Sequence, residues 1–286
     1  MNMNKLPFLF VFLAILTTGC EEITPPINLD FTYTGRRVIV EEFTGVQCVN
    51  CPEGSKRLEE LSNLHGEFVI PISIHAGSFS APYPSSLYDF RTPEGTNLER
   101  NLLGPVQGFP AAVVNRRLFN NEDEKPITIN KWAGYIAQEL IQQPKLEVTI
   151  NNSFDTTSRN LAVDVQLNFI ETVTKPVGIS VMILEDGISD YQLTPDKSVY
   201  PDGKDPYYKH KHVLRTMLTD YTGDAISFTQ TKTGSSSTFS YNFTIPTEWK
   251  AEDCEVVAFV SYKGATDDNG NEILDVLQAN KEKVID

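Results

Sequence analysis

Val38-Ile39-Val40-Glu41-Glu42-Phe43-Thr44-Gly45-Val46-Gln47-Cys48-Val49-Asn50-Cys51-Pro52 is the stretch on which the reading of this chain turns. It opens as a β-rich run that stops at Thr44-Gly45, the pattern of a buried strand closed by a turn. Pro52 then stands where a first helical turn takes proline. Leu58, Leu61 and Leu64 follow at helical spacing, with Gly66 after the last of them. Cys48 and Cys51 therefore lie between a strand end and a helix start, where their spacing lets both sulfurs meet across one helical turn. The partial positive charge and free amides of a helix N-terminus favour the thiolate of Cys48. Zinc sites use the same C-x-x-C spacing, but zinc needs two further ligands. No second C-x-x-C or C-x-x-H follows, and His65 and His75 are the only nearby histidines. Neither a metal site nor a cofactor is expected.

Toward the C-terminus, Phe68 to Ile74 reads as a second buried strand. Residues 76–107 form a long excursion with a short helix from Pro93 to Leu103, and Ala111 to Asn115 reads as a third strand. Ile127 to Gln142 is an amphipathic helix with Trp132, Ile136, Leu140 and Ile141 on one side. Alternation of strand and helix predicts an α/β sheet. After Pro144 the period changes to two: Leu146-Val148-Ile150, Leu161-Val163-Val165-Leu167 and Ile179-Val181-Ile183 alternate as half-buried antiparallel strands do. Four more candidates follow: His212 to Leu218, Thr238 to Ile245, Glu255 to Tyr262 and Glu272 to Gln278. Asp268-Asn269-Gly270-Asn271 supplies a hairpin turn between the last two. About seven strands in about 140 residues predict an immunoglobulin-like sandwich. The expected organisation is an α/β domain over residues 36–143 and an all-β sandwich over 144–286.

Toward the N-terminus, Lys5 precedes the apolar run Leu6 to Leu16. That run is too short for a ~30 Å hydrocarbon core and fits a signal peptide instead. Leu16-Thr17-Thr18-Gly19-Cys20 resembles a lipobox, which makes residues 1–19 a lipoprotein signal peptide, Cys20 the lipidated residue and 20–35 a tether containing Pro25-Pro26. Acyl chains on Cys20 would make a membrane the first partner. Glu21-Glu22 resembles the surface-export signal of Bacteroidetes lipoproteins, and surface display stands beside a periplasm-facing anchor. The net charge of −14, with 24 basic against 38 acidic residues, repels phosphate backbones and makes nucleic acid an unsuitable partner. Four cysteines, one of them the lipid site, are too few for a disulfide-stapled scaffold.

Over Arg36 to Gln142 the chain resembles the thioredoxin superfamily: strand, C-x-x-C-P, helix, strand, insertion, then Gly108-Phe109-Pro110 before a strand. The resemblance implies a cis proline at Pro110 that orients substrate backbone, and a thioredoxin-like domain over 36–143. It gives Cys48 as the attacking and Cys51 as the resolving sulfur. Glu42 is implied as the buried acid that relays protons to Cys51, with Glu41 competing for that role. The family's usual tryptophan before the first cysteine is Gln47 here, which removes an apolar contact for substrate.

The lipobox, the C-x-x-C-P motif, Val114-Asn115-Arg116 after the G-F-P turn, His212-Val213-Leu214-Arg215 and Val276-Leu277-Gln278-Ala279 together resemble the 28-kilodalton outer-membrane protein family of Bacteroidetes. That resemblance implies an outer-membrane lipoprotein. Two functions stay open. One is thiol–disulfide exchange with a protein thiol or disulfide as partner. The other is non-enzymatic surface binding or adhesion, in which Cys48–Cys51 is a permanent bridge. Among the remaining features, Cys254 reads as a buried free thiol, and His210 and His212 as surface histidines. Phe79, Tyr83, Tyr88 and Phe90 either roof the dithiol or form a satellite core.

Overall fold

The computed structural model describes residues 32–285. The signal segment 1–19, Cys20 and the first part of the tether lie outside the described residues. The first half runs β1 (Val38–Thr44), α1 (Cys51–His65), β2 (Val69–His75), α2 (Pro93–Asn97) continuing into a π turn over Leu98–Leu102, β3 (Ala111–Val114), β4 (Ile127–Thr128) and α3 (Trp132–Leu140). β1 pairs with β2 in parallel and with β3 antiparallel, and β3 carries β4 at the edge. Every residue of β1 and β2 is buried, as in strands covered on both faces. The predicted helix 127–142 begins only at Trp132, because Ile127 and Thr128 pair with Ala112 and Ala111. Ile141, expected on its apolar side, is 55% exposed beyond the helix end.

The second half supplies β5 (Leu146–Phe154), β6 (Asn160–Phe169), β7 (Val177–Glu185), β8 (Ile188–Leu193), β9 (Lys204–His210), β10 (Val213–Met217), β11 (Asp224–Ile226), β12 (Ser236–Thr244), β13 (Cys254–Tyr262), β14 (Ala265–Thr266), β15 (Glu272–Ile273) and β16 (Val276–Lys283). The Asp268–Asn271 turn joins β14 to β15, with Gly270 at φ 84°. β5 and β6 alternate buried and exposed, one face each, and with β12 form a three-stranded sheet.

The expectation of two separate domains is corrected here. One sheet of order β16-β13-β7-β10-β2-β1-β3-β4, with β11 on β7, runs through both halves, and Tyr33–Asp286 form one compact unit. The join is Val213 opposite Ser73, where the Ser73 amide donates to the His212 carbonyl at 2.8 Å. An edge strand left with unpaired N–H and C=O groups is a liability, and pairing β2 with β10 removes it. The β5-β6-β12 layer does pack on β7 and β13 through Val163, Val165, Val181 and Val256. Its partner layer is the continued α/β sheet, so the architecture is a mixed α/β sheet with small antiparallel sheets and not a free-standing immunoglobulin-like sandwich.

β7 records the consequence. It was read as half-buried, yet all nine residues are buried. Ile179, Val181 and Ile183 face the three-stranded layer. Met182 and Leu184 face a second core shared with Phe43, Ile72, Leu98 and Phe259. The 76–107 excursion thus contributes Leu98 and Leu103 as a cover over the junction of the halves. Each such apolar side chain withdrawn from water contributes about 1.5–3 kcal/mol.

Candidate functional site

The Cys48 amide donates to Gly45 O at 3.0 Å and the Cys51 amide to Cys48 O at 3.3 Å, so the loop after β1 winds directly into α1. Pro52 occupies the first turn of the helix. Cys48 and Cys51 form a disulfide with Cα atoms 5.3 Å apart. Both are buried, at 4% and 1% exposure, while Val49 and Asn50 between them face solvent.

Strand alternation separates the two acids of β1. Glu41 points to the face where Arg116 grips it, Nη2 to Oε1 at 2.7 Å and Nε to Oε2 at 3.0 Å. Glu42 points beneath α1, where Ser55 Oγ approaches Oε2 at 3.3 Å and Ser73 Oγ at 3.5 Å. Burial pushes the Glu42 carboxyl up to about 8 against the weaker pull of the two serines, so it is largely protonated at neutral pH. Gly54 makes this packing possible. A Cβ there would lie 2.6 Å from Pro110 Cβ and 2.7 Å from Glu42 Oε1. The Phe109–Pro110 peptide is cis. Cys51, Glu42 and Pro110 thus meet around the first turn of one helix.

Sequence reasoning missed the groups that enclose this site. The β8–β9 hairpin packs against the cysteine loop: Leu193 N–H donates to Val46 O at 2.7 Å, and Gln192 Nε2 to Cys48 O at 2.9 Å. Asp190 holds the excursion in place, accepting from the amides of Leu87 and Tyr88 at 3.0 and 2.9 Å. Across the loop, Gln47 fastens the excursion by bonds from its amide to Phe79 O and from its side chain to Ala81 O. The aromatic stretch divides accordingly. Phe79 stands edge-on to Phe109 at 5.5 Å, whereas Tyr83, Tyr88 and Phe90 pack with Val46, Ile188 and Val213.

His210 is corrected from a surface residue. It is 3% exposed, its ring 4.6 Å from Phe90 and 5.5 Å from His75. Burial pushes it down to about 4, and His75 well below its ordinary value. His212 does not share a face with it, because β9 ends at His210 and His212 takes φ 53°. Cys254 is the expected buried thiol, without a disulfide partner. No group of metal-ligating residues occurs among the described residues.

A family model described as Outer membrane protein Omp28 matches residues 104–284. The chain belongs to the Omp28 outer membrane protein family. The resemblance read from its motifs is borne out. The match starts after the cysteine pair and takes in the cis proline, the β8–β9 hairpin and both C-terminal motifs. No curated protein matches. Among solved structures, HBP35 of Porphyromonas gingivalis superposes with a TM-score of 0.66 at 19% identity, over 88% of this chain and 76% of that one. Protein AGR_C_4864 from Agrobacterium tumefaciens gives 0.53 at 14% identity, over 88% and 96%. These likenesses extend to the fold.

In this Omp28-family chain the motifs turn out to be the fastenings between the halves. Asn115 makes two hydrogen bonds with Ile39, its amide donating to the Ile39 carbonyl and its Oδ1 accepting from the Ile39 amide, both at 3.0 Å, and its carbonyl accepts from Val276 N–H at 2.9 Å. Gln278 accepts from Arg37 N and donates to Gly35 O, both at 2.9 Å. Arg36 joins Glu139 of α3 to the carbonyls of Val276 and Leu277. His212 and Val213 form the β2–β10 joint already described.

Proposed function

We propose that this chain is a thiol–disulfide exchange protein of the cell envelope, with a thioredoxin-like site in its first half, held at the outer membrane by a lipid on Cys20. The observation that carries it is the convergence at the start of α1 of the Cys48–Cys51 disulfide, the cis Pro110 and the buried carboxyl of Glu42. In the dithiol form, the helix N-terminus favours a Cys48 thiolate as nucleophile. Cys51 resolves the mixed disulfide after yielding its proton to Glu42, and Pro110 orients the substrate backbone.

A binding-module reading has its own support. The two sulfur residues are almost fully covered, and Gln192 clamps the Cys48 carbonyl, as suits a permanent bridge. The reduction potential separates the two. Structural disulfides lie below about −300 mV and envelope oxidants and isomerases between about −120 and −180 mV. The exchange reading expects a potential above about −300 mV, loss of exchange in Cys48→Ser, and trapped mixed disulfides in Cys51→Ser. A lower potential, with full biological activity in a double Cys→Ser variant, would leave the binding module.

The anchor has a separate test. Cys20→Ala is expected to abolish fatty-acid labelling and membrane fractionation, since no described helix is long and apolar enough to cross a bilayer. Membrane association unchanged in that variant would remove the lipid from the proposal.

A further inference from the structure

β12 forms one side of the three-stranded sheet, and among the described residues no strand pairs with its outer edge. The register fixes which groups that edge presents. Phe169 N–H donates to Ser235 O at 3.0 Å and Ile245 N–H to Arg159 O at 2.9 Å, so the odd-numbered residues of β12 exchange bonds with β6. The N–H and C=O of Ser236, Thr238, Ser240, Asn242 and Thr244 therefore point away from β6, and their side chains stand on the exposed face. Other edges of the fold are protected. On the opposite side of the same sheet, Asn280 Nδ2 donates to Val148 O at 2.8 Å and Asn152 Nδ2 to Lys283 O at 2.9 Å. β4, at the end of the large sheet, is two residues long, and β9 carries Pro206 and charged residues. The nine residues of β12 have none of these protections: no charge, no proline, no glycine, and an unbroken register with β6. The underside is open as well. Leu161, Val163 and Val165 of β6 are wholly buried, whereas their neighbours Phe243, Tyr241 and Phe239 on the same side of the sheet are only partly covered.

We propose that β12 pairs antiparallel with β12 of a second copy of this chain, joining their three-stranded sheets across a two-fold axis at Ser240. The strand fits its own reverse about that residue. The outward-facing groups meet as hydrogen-bonded pairs, Ser240 with Ser240, Thr238 with Asn242 and Ser236 with Thr244, each pair exchanging two backbone bonds. Between them, on the underside, Phe239 of one copy lies opposite Tyr241 of the other in the closely spaced, non-hydrogen-bonded position. Symmetry repeats that pair, and aromatic pairs are among the cross-strand contacts that stabilise sheets. The second copy thus brings apolar cover to the rings that β6 and the opposing layer leave partly open. Charge permits the approach. The chain carries −14, yet β12 carries no charge, and Asp164, the one acid of β6, lies a strand back and accepts from Ser240 Oγ at 2.5 Å. A single strand pair is a small interface beside the roughly 800 Å² per partner of standard complexes, so a dissociation constant in the micromolar range is expected. The pairing is independent of the redox reading.

Sedimentation of Tyr33–Asp286, the compact unit of the fold, should show a monomer–dimer equilibrium. Added salt should strengthen it by screening the repulsion between two acidic chains. Charges placed on the exposed face of β12 read the register. Thr238→Lys with Asn242→Lys sets like charges opposite each other on both sides of the axis, and the dissociation constant should rise at least about tenfold. Thr238→Lys with Asn242→Glu sets lysine opposite glutamate in both pairs and should keep the constant within about threefold of wild type. Within one chain the two positions are about 13 Å apart along the strand, too far to pair internally. Both are exposed, so the fold is expected to be unchanged in either variant. In the full chain, Ser240→Cys should cross-link to its own copy on mild oxidation, since directly opposed residues fall within the ~4.4–6.8 Å a disulfide spans, and Thr238→Cys should not. A monomer at about 100 µM overturns the pairing and leaves the edge to a strand of another protein. So does a dimer that survives the double lysine, one that the lysine–glutamate variant also loses, or a Ser240→Cys chain that cross-links no faster than Thr238→Cys.

Discussion

Arg116→Met should destabilise the protein by about 3–5 kcal/mol, the usual cost of leaving one buried charge without its partner. Arg116 and Glu41 are 1% and 0% exposed and bound by two parallel hydrogen bonds, so the carboxylate left behind has no water to turn to. The guanidinium also lies 4.7 Å over the ring of Phe259 in β13, so the substitution loosens a contact between the two halves. Arg116 and its neighbour Asn115 both take positive φ, 53° and 48°, a conformation that costs non-glycine residues and persists because surrounding bonds hold it. Urea denaturation should report the loss as a lower midpoint, and thermal unfolding as a drop of about 10 °C. The double variant Glu41→Leu with Arg116→Met should recover most of it, because replacing both partners removes the desolvation penalty along with the attraction. A single variant within about 1 kcal/mol of wild type would show that the pair contributes little.

How much of this was legible in the sequence follows from the range of the interactions. The strand–C-x-x-C–helix unit is local: period, proline position and the glycine after the helix were all readable, and α1 runs Cys51–His65. Glu42 and Pro110 could be named, but the choice between Glu41 and Glu42 needed the partner of each. Arg116 and Ser55 lie 75 and 13 residues away. The join at Val213 and Ser73 had no local signal at all. A strand that extends another sheet carries the same alternation as one in a separate sandwich, and only the full burial of β7 tells them apart. The β8–β9 hairpin was hidden for a different reason. Pro206, flanking charges and a ten-residue link leave Lys204–His210 without an apolar period, although Ile188, Asp190 and Gln192 do alternate inward. Its inward residues are polar because they bind the cysteine loop and the excursion, so a pattern search for apolar alternation passes over them.

The pH dependence of stability should turn near pH 6.5, with Glu42 responsible for the alkaline side. Its folded pKa of about 8 lies above the ordinary 4.5, so the folded state holds a proton that the unfolded chain releases. This contribution is complete below pH 4.5 and is lost as pH rises toward 8, at about 1.4 kcal/mol per pH unit. The buried histidines act in the opposite direction. His210, held near 4, and His75, held well below 6.5, stay neutral in the folded protein while the unfolded chain takes up protons. Their contribution is complete above pH 6.5 and is lost as pH falls toward their folded values. Burial also lowers His212, which adds to the acid side. Between 4.5 and 6.5 two or more histidines outweigh one carboxyl, and stability rises with pH. Above 6.5 the histidines are neutral in both states, and Glu42 brings stability down by about 2 kcal/mol by pH 8, with the carboxyls of Glu185 and Asp275, also raised by burial, acting in the same sense. Cys254, pushed up to about 12 by burial, does not intervene below pH 8. Glu42→Gln keeps the shape of the neutral acid and removes its titration. In urea titrations of the disulfide form at pH 5, 6.5 and 8, the variant should lose the alkaline decline and show a steeper acid one. Parallel curves for the two proteins would mean that Glu42 is ionised in the fold and that the alkaline decline has another source.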